Sequence, residues 1–201
     1  MTSKNIYPEA PSVLSRHDKE RLLHQHAVVI WMTGLSGSGK TTLAREIELE
    51  LSRRGFLTRV LDGDQIRTGI SNNLGFSPAD REENIRRIAE VSRLFLDCGI
   101  ICINSFISPT VAIRRMAKKI VGESDFVEVY VNAPLTVCEQ RDVKGLYKKA
   151  RAGQIKGFTG IDAPYEPPEK PDVEIRTDRL SVEDSVKKCL DFILPRIAFH
   201  A

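Results

Sequence analysis

The sequence predicts an α/β fold: three layers, with a mostly parallel five-stranded sheet covered by helices on both faces. Three observations carry this prediction. Short apolar runs alternate with amphipathic stretches from residue 27 onward. The first run, residues 27–33, is continuously apolar up to Met32, as in a strand buried on both faces. A glycine-rich turn then joins that run directly to a helical stretch.

The elements follow in order. Residues 1–26 are polar, with Pro8, Pro11 and mixed charge, and read as an arm outside the core carrying a short helix over 15–26. After the strand at 27–33, a helix runs from Lys40 to Arg54 and stops at Gly55. Residues 57–61 form the second strand. Ser77-Pro78-Ala79-Asp80 is a helix start, with a serine cap, proline in the first turn and an acid to complement the dipole. Ile85, Ile88, Ala89, Ser92, Phe95 and Leu96 share one face of that helix, which ends near Gly99, and the opposite face is charged. Residues 100–104, 126–131 and 173–176 supply the remaining strands. A final helix begins at Ser181 and is limited by Pro195. Between 142 and 171 the periodicity disappears in a Lys-, Gly- and Pro-rich stretch that is long for a connection and reads as a lid. The domains are therefore an arm (1–26) and one folded unit (27–201).

Composition narrows the function. With 201 residues, 41% hydrophobic and a net charge of +3, the chain is neither disordered nor broadly polyanion-binding, so no nucleic-acid partner is expected. No apolar run approaches the ~18–20 residues of a membrane span, and residues 1–26 lack the apolar segment of a secretory signal. Cys98, Cys102, Cys138 and Cys189 form no CxxC pair and read as free thiols, which points to the cytoplasm. The four histidines are His17, His24, His26 and His200, leaving none between Ala27 and Phe199. A histidine base, a histidine metal site and a Ser-His-Asp triad are thereby set aside.

Gly34-Leu35-Ser36-Gly37-Ser38-Gly39-Lys40-Thr41 matches the phosphate-binding P-loop GxxxxGK[ST], in the required strand–loop–helix context. Glycines let backbone N–H groups approach phosphate oxygens, and the helix N-terminus adds positive potential. Lys40 is expected at the β- and γ-phosphates of a nucleoside triphosphate and Thr41 at Mg²⁺. The fold is thus P-loop NTPase-like. Asp62 and Asp64 lie where the second strand ends, at the sheet edge that binds ligands in open α/β folds. With no histidine available, either is a candidate to accept a hydroxyl proton or hold magnesium. No guanine-recognising Asn-Lys-x-Asp is present, and the basic lid points to a small-molecule kinase whose closure excludes water.

Five further stretches closely resemble the adenylylsulfate kinases: Leu61-Asp62-Gly63-Asp64-Gln65-Ile66-Arg67; Leu74-Gly75-Phe76-Ser77-Pro78; Asp80-Arg81-Glu82-Glu83-Asn84-Ile85-Arg86-Arg87; Ser105-Phe106-Ile107-Ser108-Pro109; and Arg141-Asp142-Val143-Lys144-Gly145-Leu146-Tyr147 with Lys156-Gly157-Phe158-Thr159-Gly160-Ile161-Asp162. The resemblance spans nearly the whole chain. It implies transfer of a phosphoryl group from ATP to adenosine 5′-phosphosulfate, with Mg²⁺, in sulfate assimilation, and a homodimer. It also implies residue roles. Gly34, Gly37, Ser38, Gly39, Lys40, Thr41, Thr42 and Arg141 would serve ATP, and Thr41 and Asp64 the metal. Arg67 and Arg81 would grip the phosphosulfate, with Asn84 on the same helix face as Arg81. Phe76 and Phe158 would stack on the adenine, and Ile107, Ser108 and Gly157 would add contacts. Asp64, Lys40, Lys144 and Ser108 are the catalytic candidates. Ser108 corresponds to a serine often described as a phosphoserine intermediate; in-line transfer needs no covalent stop, so it reads as a substrate contact. Two departures stand out: Thr110 replaces an aromatic or histidine, and no histidine follows Arg67.

Two other readings compete: another small-metabolite or nucleoside kinase, and a nucleotide-sensing P-loop module that binds a protein partner. A separate sulfurylase partner is left open. Residues 141–157 hold six Lys/Arg against one acid, and the rest of the chain is net −2, so the positive charge is concentrated in the lid.

Overall fold

The computed structural model describes residues 13–199. Residues 1–12 of the expected arm, with Pro8 and Pro11, lie outside the described residues, as does His200. Five strands, β1 (Val29–Thr33), β2 (Thr58–Asp62), β3 (Ile101–Ser105), β4 (Phe126–Asn132) and β5 (Val173–Arg176), make one sheet in the order β2-β3-β1-β4-β5. Every pairing is parallel, so all five carboxyl ends meet along one edge.

Helices cover both faces. On one side α2 (Lys40–Arg53) and α8 (Val182–Ile197) pack Leu43, Ile47, Leu51, Leu190 and Ile193 against Ile30, Met32 and Ile103. On the other, α4 (Pro78–Leu96) and α5 (Val111–Val121) pack Ile85, Ile88, Ala89 and Ala117 against Val29, Trp31 and Cys102. Central β1 is buried throughout, which is why its sequence is apolar without alternation. Trp31 stacks between Phe106 and Phe126, with centroids 6.0 and 5.4 Å away. Three short helices complete the chain: α3 (Gly63–Thr68), α6 (Leu135–Arg141) and α7 (Leu146–Arg151).

The caps behave as expected. Ser77 and Ser181 accept from the backbone N–H groups of Asp80 and Asp184, and Pro78 occupies the first turn of α4. Thr110, which departs from the resembled family, caps α5 by accepting from Ile113 N–H. Several expectations are corrected. Strands β2 and β3 end one residue later than expected, so Asp62 and Ser105 belong to them and pair in register. Pro195 sits inside α8, which continues to Ile197, because a proline in the last turn forfeits only one helical bond. The lid is not wholly irregular, since it contains α7. Helices α3, α5 and α6 were not among the expected elements.

Residues 15–26 make specific contacts with the rest of the chain. Ser15 and Asp18 form a capping box that starts α1 (Arg16–Leu23). Arg16 donates to Asp125 and to the Ala27 carbonyl, while buried Glu20 accepts from Ala27 N–H. Fully buried Gln25 donates to the Leu57 and Gly99 carbonyls and accepts from Leu57 N–H. This amide closes the lower end of the sheet and ties Gln25 to the Leu57 and Gly99 backbones. Gln25→Ala orphans these backbone groups and should cost about 1–3 kcal/mol in urea denaturation, with turnover of the folded enzyme unchanged.

Candidate active site

The site lies on the carboxyl edge of the sheet, where β1 runs into the loop Gly34–Gly39. Gly34 has φ +153°, and a Cβ there would strike the Val131 carbonyl oxygen. Gly37 has φ +74°, and a Cβ would come within 2.9 Å of the Cys138 carbonyl oxygen. The loop therefore needs glycine at both positions.

Its carbonyls are all engaged from outside. Lys40 Nζ donates to the Gly34 and Leu35 oxygens at 2.9 and 2.7 Å. Tyr147 Oη, from the lid, donates to Ser36 O at 2.9 Å. Arg141 donates to Gly37 O at 3.3 Å, and Thr177 Oγ1 to Ser38 O at 2.8 Å. Helix α2 follows with Gly39 as N-cap and no side-chain cap. With the carbonyls turned toward side chains and the helix end uncapped, the loop is a cradle for an anion. Lys40 is buried, and that burial pushes its amine down to about 8. Thr42 is on the exposed side of the first turn of α2.

Of the two sequence carboxylates, Asp62 is the one at Thr41. Its Oδ2 accepts from Thr41 Oγ1 at 2.8 Å, and its Oδ1 caps α3 by accepting from Asp64 N–H. Ser105 Oγ lies 3.4 Å from Thr41 Oγ1, brought there by the Asp62–Ser105 register. Asp64 is mostly exposed and pairs instead with Lys144 of the lid. The resemblance pairs Thr41 with Asp64; the geometry pairs it with Asp62.

The third group lies on α3, α4 and the lid. The Arg67 guanidinium sits 4.4 Å from the centre of the exposed Phe76 ring and donates to Gly75 O. Arg81 donates to Phe76 O and, across to the lid, to Thr159 Oγ1 and Gly157 O. Both arginines are half-buried, and neither has a carboxylate ion-pair partner among the described residues. Burial lowers the pKa of each, and Arg81 lowers that of Arg67 further. Asn84 lies buried one turn on, its Oδ1 without a partner. Phe158 is half-buried, edge-on to Tyr147 at 5.0 Å. Arg81 is thus the link between Phe76 and the residue preceding Phe158.

Ser108 closes the acceptor side. It is buried, with φ +39°, and its Oγ accepts from Trp31 Nε1 at 3.0 Å. Neighbouring Ile107 is half-buried, and its carbonyl accepts from Thr33 Oγ1 at 2.7 Å. Among the described residues no ionisable base bonds to the Ser108 hydroxyl, whose other partner is the Phe106 carbonyl.

Sequence reasoning passed over Thr177, Tyr147 and Ser105. Each was findable: Thr177 and Ser105 stand at strand ends on the ligand edge, and Tyr147 lies within the recognised lid motif.

A phosphate loop, a carboxylate-and-hydroxyl cluster beside it and a basic lid facing an anion-binding pocket define a P-loop kinase acting on a small molecule. Residues 26–176 match the model of the adenylylsulphate kinases, and the chain belongs to that family of ATP-dependent kinases. It is 60% identical to the adenylyl-sulfate kinase of Bacteroides fragilis over 198 residues, 98% of each chain. It is 51% identical to that of Clostridium acetobutylicum, covering 93% of this chain and 91% of the relative. Among solved structures, the Mycobacterium tuberculosis APS kinase in complex with AMPPNP and APS superposes with a TM-score of 0.81 at 44% identity, covering 84% of this chain and 98% of that one. A Sinorhizobium meliloti gluconokinase, 14% identical with TM-score 0.57, shares the fold alone.

Lys40 yields a prediction. Free Lys40 titrates near 8, and an anionic phosphate favours its charged form. ATP binding should therefore take up a proton above pH 8 and none below about pH 7, and affinity should fall as pH rises through 8. Calorimetry in buffers of different ionisation enthalpy measures the uptake.

Proposed function

We infer that the chain transfers the γ-phosphoryl group of ATP to the 3′-hydroxyl of adenosine 5′-phosphosulfate, yielding ADP and 3′-phosphoadenylyl sulfate, in sulfate assimilation. One observation carries the acceptor side of this reading. Arg67 and Arg81 are two half-buried cations without carboxylate partners, set beside the exposed ring of Phe76. An acceptor that suits them brings an anion for the guanidinium forks and a flat base for the ring. A sugar or a simple hydroxy acid brings only one of these. The 44%-identical neighbour solved with AMPPNP and APS supports the same pair of ligands.

In this reading the amides of Gly37, Ser38, Gly39, Lys40, Thr41 and Thr42 hold the ATP phosphates, and Lys40 exchanges its loop carbonyls for phosphate oxygens. Arg141, tied to Gly37 and Thr177, lies at the rim on the ATP side. Thr41 and Asp62 would hold Mg²⁺, for they cluster hard oxygen donors beside the loop with no nitrogen or sulfur between them. When bound, that ion neutralises phosphate charge. Asp64 is then left to the acceptor. It takes the proton of the 3′-hydroxyl as the oxygen bonds to phosphorus and the bond to the ADP oxygen breaks. Lys144 leaves Asp64 for the transferring phosphoryl group as the lid closes. Phe158 and Asn84 complete the base pocket, and Ile107, Ser108 and Gly157 line it. The same reading makes the enzyme a cytoplasmic homodimer. No helix among the described residues is long and apolar enough to cross a membrane.

A coupled ADP-release assay over a panel of acceptors tests the reading. Turnover should be highest with adenosine 5′-phosphosulfate; none with it, alongside turnover of AMP or gluconate, would overturn the assignment. Nucleotide binding without turnover of any acceptor would favour a sensing module. Asp64→Asn should lower kcat about 10²–10⁴-fold with nucleotide binding retained. Arg81→Ala should raise the acceptor KM about 10–100-fold.

Ser108 is assigned a contact role. Ser108→Ala should keep kcat within about threefold while losing roughly 1–2 kcal/mol of stability, because Trp31 Nε1 is left buried without its acceptor. A loss of turnover by orders of magnitude in the folded variant would instead argue for a phosphoserine.

A further inference from the structure

We propose that Arg114 and Glu166 form a clasp that makes the acceptor loop and the exit of the lid one mechanical unit, so that both act as positioning residues for the acceptor and not for ATP. The proposal rests on the acceptor reading given above.

Arg114, on α5, is buried and reaches three separate segments. One arm of its guanidinium donates to Ser108 O at 2.9 Å. The other donates to Glu166 O at 2.8 Å. Its Nε lies 2.9 Å from Glu128 Oε1 on β4, an ion pair that neutralises the buried charge. A planar fork suits this arrangement, since its arms diverge at fixed angles toward two carbonyls.

Glu166 adds two bonds. Its N–H donates to Pro109 O at 2.8 Å. Its carboxylate accepts from Val111 N–H at 2.7 Å, at the first residue of α5, where the helix end favours negative charge. The preceding Tyr165 Oη lies 3.1 Å from Thr33 Oγ1, the hydroxyl that donates to Ile107 O. Glu166 thus bonds to Pro109 and Val111 directly and Tyr165 reaches Ile107 only by way of Thr33, while Arg114 bonds to both sides.

Ser108 explains why the loop needs holding. Its φ of +39° is an uncommon backbone state for a non-glycine residue. The Ser108 carbonyl is fixed by Arg114 and its hydroxyl by Trp31. The other end of the lid is tied elsewhere, because Tyr147 bonds to Ser36 of the phosphate loop. At the lid entry Tyr147 bonds to the phosphate loop, whereas the hydrogen bonds of residue 166 at the exit go to the acceptor loop and α5. Loosening the exit should be felt by one substrate only.

The test uses Glu166→Ala and Arg114→Lys in the full chain. The Glu166 side chain is exposed, so its loss leaves the core intact. Glu166→Ala should raise the KM for adenosine 5′-phosphosulfate about five- to tenfold, with the KM for ATP within about twofold. Hydrogen exchange in the ligand-free protein should accelerate together in residues 106–111 and 157–167. The emission of Trp31, the sole tryptophan, should shift with them, because its N–H bonds to Ser108. Arg114→Lys keeps the charge facing Glu128 but loses the fork, and should give the same KM split. If Arg114→Lys fails to fold, Glu166→Ala alone decides. Unchanged values for both substrates, a parallel rise in both, or faster exchange in the lid alone would overturn the clasp. If the wild-type enzyme does not turn over adenosine 5′-phosphosulfate, the substrate reading fails, and the exchange data still decide the clasp.

Discussion

Lys40 is a buried ammonium group with no ion-pair partner among the described residues, and that constraint shapes the site around it. A buried ammonium needs oxygen acceptors, and here they are the carbonyls of its own loop, Gly34 and Leu35. Turning those carbonyls toward Lys40 requires the left-handed glycines. The next three carbonyls are taken in turn by Tyr147, Arg141 and Thr177. The loop is thus clamped by groups from α2, α6, the lid and the end of β5. Those elements meet only because every strand points the same way, which brings all their ends to one edge. Each clamp is a polar contact to a backbone carbonyl and takes up none of the loop's N–H groups, of which Ser38 N–H donates to Leu35 O.

The acceptor half obeys the opposite rule. There, two arginines are brought together with no carboxylate ion-paired to either among the described residues, Asp64, Asp80 and Asp162 acting only from farther off, and their donors are spent on Gly75, Phe76 and Gly157 carbonyls. Neutral acceptors satisfy the hydrogen bonds but leave the charge. The resulting positive potential acts over several ångströms on an arriving anion, and the concentration of basic residues in the lid extends it. Because Arg81 also bonds to Gly157 and Thr159, the residue that would meet the anion already holds the lid. Anion binding and lid position are therefore coupled at a single side chain.

Much of the fold was legible because the physics was local. The buried run to Met32, the glycine loop and the serine caps at 77 and 181 each declare themselves within a few residues. What was not legible depended on partners distant in sequence. Glu20 and Gln25 look like polar arm residues until the Ala27 amide, Leu57 and Gly99 backbones appear as their partners. Helix α5 was overlooked, its Arg114, Arg115, Lys118 and Lys119 obscuring the apolar stripe of Ile113, Ala117 and Val121. Pro195 was given a stopping power that it lacks in a last turn. At the site, the pairing of side chains was not readable: a two-residue separation cannot say which of Asp62 and Asp64 turns inward.

The register of two strands resolves that ambiguity. Asp62 is the last residue of β2 and pairs with Ser105, the last of β3. Both side chains therefore emerge at the same height, opposite the first turn of α2, and Thr41 meets them there. Asp62 also caps α3, so its two carboxylate oxygens are committed in two directions and its orientation is fixed. Asp64 is lifted out of the sheet edge by the first turn of that same helix and meets only a lid lysine. A fixed carboxylate suits an ion or a hydroxyl that must not move. One held by an exposed lysine suits a group that must be released on substrate entry. The different surroundings of the two aspartates are thus a consequence of where β2 stops and α3 begins.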